Sequence, residues 1–121
     1  MAVNEQDLAD TLHASFQLPR EETLAYLRLL YSRSLTGQEI ASALEMPTNE
    51  TEVLLAKMEE RGLIIRTAGN PQQFAALHPR MTLTNLFKTY EKEVVQGLRD
   101  RRATADRVVN LLTPIYEERK S

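Results

Sequence analysis

With 121 residues, 42% of them hydrophobic and 26% charged, the chain suits one domain with at most one extended appendage, of ordinary globular composition. The absence of cysteine excludes disulfides, thiolate metal sites and a thiol nucleophile. A net charge of −2 excludes a broadly basic nucleic-acid binder, since Lys and Arg on phosphate supply most non-specific affinity; only a local basic face could serve that role.

The acidic N-terminal stretch lacks the basic and apolar regions of a signal peptide, and no apolar run approaches the roughly 20 residues of a membrane span, so a cytoplasmic location with no membrane partner is expected. From Glu5 to Phe16, Leu8, Leu12 and Phe16 recur at four-residue steps with acids at the start, which predicts a short amphipathic helix. Leu18-Pro19-Arg20 punctuates it. Glu21 to Arg33 predicts a stronger helix, opened by Pro19 or Arg20, with Leu24, Leu27, Leu30 and Tyr31 as its apolar stripe.

Thr36 to Leu77 organises the rest. Thr36-Gly37-Gln38-Glu39 is a Thr-x-x-Glu capping box, followed by Ile40, Ala43 and Leu44 on one face. Pro47 ends that helix and biases Met46 away from helical angles. Thr48 or Asn49 can cap a second helix that turns Thr51, Leu54, Leu55 and Met58 inward and stops at Gly62. Leu63 to Thr67 and Gln72 to Leu77 then read as strands joined by the turn Ala68-Gly69-Asn70-Pro71. Helix, turn, helix and hairpin make a winged helix-turn-helix. The expected fold is therefore mostly α with a small β-hairpin, a winged domain over residues 1–79 followed by a long C-terminal helix over residues 80–121.

The run from Phe16 to Leu30 resembles the opening helix of TrmB-like winged-helix transcriptional regulators. Leu35 to Ala41, Met46-Pro47, Met58 to Ile64 and the Gly69-x-Pro71 turn continue the resemblance in order, over roughly Leu12 to His78. It implies a dimeric DNA-binding regulator. Several members add a carbohydrate-sensing domain, for which these 121 residues leave no room. The family pattern also implies basic residues at the wing, whereas this sequence has Asn70, Gln72, Gln73 and Ala75.

After His78-Pro79 ends the hairpin, Thr82 to Glu118 reads as one long helix broken only by Gly97 and, near its end, Pro114. Leu83, Phe87, Tyr90, Val94, Leu98, Ala105, Val108, Leu112 and Ile115 form a heptad stripe if Arg101 occupies a seam position, with a stutter near Val94 to Leu98. About 37 residues would extend about 55 Å at 1.5 Å per residue, and the stripe needs cover. Either two shorter helices hinged at Gly97 fold back over the domain, or two chains pair as a coiled coil through Leu83, Phe87, Tyr90, Val94, Leu98, Val108, Leu112 and Ile115.

No catalytic constellation, cofactor motif or metal-ligand cluster stands out, so no enzyme, cofactor or metal is expected. His13 and His78 read as surface or capping residues, and Glu21-Glu22 and Glu59-Glu60 as solvated pairs. Double-stranded DNA is the expected partner. Thr48, Asn49, Glu52, Val53 and Lys57 would face the major groove, with Arg33, Asn70, Gln72 and Arg80 on the flanks and wing. The first two turns of that helix nonetheless hold Glu50 and Glu52 with no Lys or Arg. This leaves a second expectation, a winged-helix module that has lost DNA binding and engages another protein through Val53, Ala56, the wing or the long helix.

Overall fold

The structure, a computed structural model, describes residues 3–119. The elements in order are α1 (Glu5–Phe16), α2 (Arg20–Ser32), β1 (Leu35–Thr36), α3 (Gly37–Leu44), α4 (Thr48–Arg61), β2 (Ile64–Thr67), β3 (Gln73–Ala76) and α5 (Pro79–Glu118). The chain divides into two compact units, one up to Lys88 and one from Thr89 onward.

In the first unit, local chemistry sets most element ends. The Asn4 side chain accepts the Asp7 amide proton at the start of α1, and Thr36 and Glu39 form the reciprocal capping box of α3 at 3.1 and 2.9 Å. α3 ends with Glu45 in the left-handed region, where the Met46 amide reaches back to the Ala41 carbonyl. Gly62, at φ 82, closes α4 in the same manner. The anticipated Thr48 or Asn49 cap does not form. Pro47, whose ring presets a negative φ, precedes a helix that already includes Thr48, and the Thr51 hydroxyl donates to the Pro47 carbonyl instead.

The sheet has three antiparallel strands in the order β1-β3-β2 rather than a lone hairpin. Leu35 pairs with Phe74 and Thr36 with Gln73, so the residues just before α3 are stitched to the returning strand of the wing. The Ser34 hydroxyl donates to Gln73 Oε1 at 2.6 Å and extends this link. Arg33 makes the preceding corner, at φ 62 and ψ −65, with the Ser34 amide bonded to the Ser32 carbonyl.

The core joins α2, α3, α4, the sheet and the start of α5 through Ala25, Leu29, Ile40, Leu55, Met58, Phe74 and Leu86. Four expected positions differ. Ala41, not Ala43, accompanies Ile40 inward, because α3 meets α2 and α4 on two adjoining sides. Leu30 and Tyr31 are exposed, since the buried face of α2 runs through Glu22, Ala25, Tyr26 and Leu29. Glu22 is therefore no solvated carboxylate: it is 1% exposed and receives Arg61 Nε at 3.0 Å.

α5 starts at Pro79, three residues before the expected Thr82. Proline suits the first helical position, and His78 acts as the cap, its Nδ1 accepting the Arg80 amide at 3.0 Å. Thr82 and Leu86 are buried in the first unit. The helix passes through both Gly97 and Pro114 without the expected breaks, which removes the hinged pair of shorter helices. Within the second unit no described residue is buried, and Val94, Leu98, Val108, Leu112 and Ile115 are all exposed in the single chain.

Candidate nucleic-acid interface

α4 is packed against α2, α3 and β2. Thr51, Leu55 and Met58 turn inward and Leu54 is half-buried, as its pattern predicts. Its C-terminal end is fastened on two sides. Arg61 pairs with buried Glu22 of α2, and the Asn85 side chain of α5 donates to the Gly62 carbonyl at 2.9 Å. Burial pushes the Glu22 carboxyl above its ordinary range, and the Arg61 hydrogen bond and charge pull it back only in part. Nearby, the Tyr26 hydroxyl donates to the Leu77 carbonyl at 2.7 Å, tying α2 to the end of the wing, and burial raises its pKa.

A β-carbon at Gly62 would collide with the Asn85 amide, and φ 82 is itself costly for any other residue. Gly62→Ala is accordingly expected to lower unfolding free energy by about 2 kcal/mol or more, read by urea denaturation. Asn85→Ala in the same chain should recover part of that loss, because it removes the two closest colliding atoms. The recovery stays incomplete because the backbone strain, a tight contact with the remaining β-carbon and the lost hydrogen bond to the Gly62 carbonyl persist.

The outward face of α4 carries Thr48, Asn49, Glu50, Glu52, Val53, Ala56 and Lys57, all exposed. Thr48 and Glu52 open onto a groove of about 460 Å³ that lies between the start of α4, the start of α3 and the wing. Gln38, Arg66, Pro71 and Gln72 complete its sides. Of the residues expected to meet DNA, the groove gathers Thr48, Glu52 and Gln72. Asn49, Val53 and Lys57 stand exposed elsewhere on α4, and Asn70 is exposed in the wing turn, joined to Pro71 by a cis peptide. Arg33 at the α2 corner and Arg80 in the first turn of α5 are exposed but do not line it.

Arg66 of β2 is the basic residue that does line the groove, and sequence reasoning gave it no role. Its Nε meets Glu59 Oε1 at 2.6 Å, its Nη1 donates to Gln72 Oε1 at 2.9 Å, and its guanidinium lies 5.1 Å from the centre of the Phe74 ring. Glu59 is thus half-buried and paired rather than solvated. No short-range pattern signals this contact, because Glu59 and Arg66 face each other only after the chain reverses at Gly62. The described residues contain no group of His, Asp or Glu that could hold a metal ion, and none of their helices is long and apolar enough to cross a membrane.

Residues 12–80 match the family model described as the sugar-specific transcriptional regulator TrmB, which spans more than half of the chain. The chain belongs to the TrmB family. The match runs from within α1 through α4 and the wing to the start of α5, and so contains the whole groove. Among curated TrmB-like relatives, the DNA-binding repressor TrmBL2 of Thermococcus kodakarensis is 26% identical over 110 residues, covering 91% of this chain and 42% of the relative. A regulator of the same name from Pyrococcus furiosus is 24% identical over the same span and coverage. The chain therefore spans less than half the length of these relatives.

Solved structures agree on the fold. The archaeal chromatin protein TrmBL2, whose structure is described as showing a novel mode of DNA binding, superposes with a TM-score of 0.80 at 23% identity, over 95% of this chain and 46% of that one. The Staphylococcus aureus MepR–DNA complex superposes at 0.55 with 20% identity, over 88% and 90%. A TrmB-type winged helix with a long C-terminal helix is the architecture of this chain.

Proposed function

We propose that the chain is a homodimeric transcriptional regulator that binds double-stranded DNA through α4 and the wing, and acts in the cytoplasm without catalytic chemistry. Membership of the TrmB family across the complete winged helix carries this reading. The exposed outer face of α4 supports it, since a helix in the major groove must present its early turns unobstructed. Thr48 lies at the start of α4 to meet a phosphate, and Asn49 has the two-pronged amide that reads adenine. Arg33 and Arg80 supply flanking phosphate contacts, with Glu52, Val53 and Lys57 facing the major groove of the DNA and Asn70 and Gln72 at the wing.

Dimerisation falls to α5. Leu83, Phe87, Tyr90, Val94, Leu98, Val108, Leu112 and Ile115 recur on one helical side, and pairing two such stripes would give the two-fold symmetry that a paired DNA site requires. The acidic start of α4 and the uncharged wing are the observations that favour a protein-interaction module. Family membership weighs against that reading.

Substitution separates the two. Arg33→Ala and Arg80→Ala should weaken binding to all duplexes and flatten its salt dependence by about one unit of log–log slope each. Asn49→Ala should instead relax preference at a single base pair, costing about 1–3 kcal/mol of discrimination. Competition binding with a panel of single-base duplex variants, repeated across a salt series, reads all three, and indifference to all of them would remove the site from these residues. Val53→Arg abolishing capture of a protein partner, with duplex binding absent, would establish the alternative.

A further inference from the structure

We infer that Arg66 is the phosphate-binding cation of the recognition groove and that Glu59 holds it in the free protein, so that DNA binding exchanges an internal ion pair for a phosphate contact. The inference rests on the DNA-binding reading above and explains how an acidic recognition face could bind a polyanion.

Arg66 lines the groove that also receives Thr48, Glu52 and Gln72, the expected major-groove and wing contacts. Its hydrogen bonds use Nε toward Glu59 and Nη1 toward Gln72. A guanidinium has five N–H donors, so three on the Nη side are left to engage a phosphate while Glu59 still holds Nε, before the phosphate takes over the charge. Stacking on Phe74 fixes the plane of the group and reduces the ordering cost of a new contact. The side chain is 45% exposed, which lets a phosphate reach it without displacing the core.

Glu59 opposes that contact. Its carboxylate lies 2.6 Å from Nε, where it cancels the charge that a phosphate would meet and repels the phosphate itself. Because Glu59 belongs to α4 and Arg66 to β2, the pair bridges recognition helix and wing. Phosphate binding at Arg66 would release that bridge and free the wing to settle on the backbone.

The test is duplex binding by the full chain, measured across a salt series for the parent, Glu59→Gln, Glu60→Gln, Arg66→Ala and the Glu59→Gln/Arg66→Ala pair. Glu60 is the exposed neighbour of Glu59 and controls for simple loss of one negative charge. Arg66→Ala is expected to weaken binding about tenfold, the range of a charge-assisted hydrogen bond, and to lower the salt slope by about one. Glu59→Gln should tighten binding by about two- to fivefold beyond Glu60→Gln, the scale of an exposed ion pair released. That extra gain should vanish in the double variant. Parent binding that is indifferent to Arg66→Ala, or an equal gain from Glu59→Gln and Glu60→Gln, would overturn the exchange while leaving the regulator reading in place. Failure of the parent to bind any duplex would sink the regulator reading itself.

Discussion

Arg61→Ala is expected to cost about 3–5 kcal/mol of stability at neutral pH, because it strands the Glu22 carboxylate in the core without its cation. Glu22 is 1% exposed, whereas the Arg61 side chain keeps about a third of its surface in water, so the two partners are not equivalent. Removing the arginine leaves a buried charge; removing the glutamate leaves a cation that water can still reach. The penalty should depend on pH. Burial raises the Glu22 pKa above its ordinary 4.5, so its stabilising contribution is fully present below that value and is lost as pH rises through the raised native one.

Without Arg61 the Glu22 pKa moves higher still, and the difference between variant and parent should be small near pH 4 and fully developed near pH 8. Urea unfolding at the two values measures this. Glu22→Gln in the Arg61→Ala background should restore most of the loss at pH 8, since a neutral amide is far cheaper to bury. A penalty of equal size at both pH values would mean that Arg61 acts by packing rather than by charge.

Leu112→Asp should have the largest effect on function. In the coiled coil proposed for α5, the substitution places two carboxylates in one apolar seam, and the chain should sediment as a monomer at micromolar concentration. Affinity for a duplex with two half-sites should then fall by about a hundredfold or more, because the second contact is no longer intramolecular. Asn110→Asp, about 160° away around the helix from Leu112, is the control and should change neither mass nor affinity. The thermal transition of the first unit should not move, since no described residue from Thr89 onward is buried. A Leu112→Asp chain that remains dimeric would place the contact elsewhere.

Features set by neighbours in sequence were legible before the structure was. The Thr36–Glu39 box, the Gly62 stop and the inward turn of Thr51, Leu55 and Met58 each follow from spacing within one or two helical turns, and each forms. Contacts made across the chain were not. β1 is only two residues long, too short for any alternation to show, and exists because Phe74 and Gln73 return beside it. Glu22 looked like a dipole-favoured surface acid, because only the return of Arg61, 39 residues later, makes its burial tolerable. Along α5 the stripe predicts a long helix but leaves open a break at Gly97, which the continuous helix lacks, and its start lies three residues before the expected one because His78 caps a helix rather than ending a strand.

At the groove, Thr48, Glu52 and Gln72 follow from helix phase and hairpin geometry, while nothing in the sequence around Arg66 singles it out. Its position is fixed by strand register, Arg66 opposite Phe74, and a one-residue slip would send it to the other face of the sheet.

DNA binding by this chain is tested most directly by fluorescence polarisation against mixed-sequence duplex at low and moderate salt, with mass determined in the same buffer. A dimer that binds at micromolar concentration or tighter, and loses affinity steeply as salt rises, is the result expected of a TrmB-type regulator using phosphate contacts. A chain that shows no binding even at low salt would contradict it, and would leave the acidic start of α4 and the uncharged wing as the surface of a protein-interaction module.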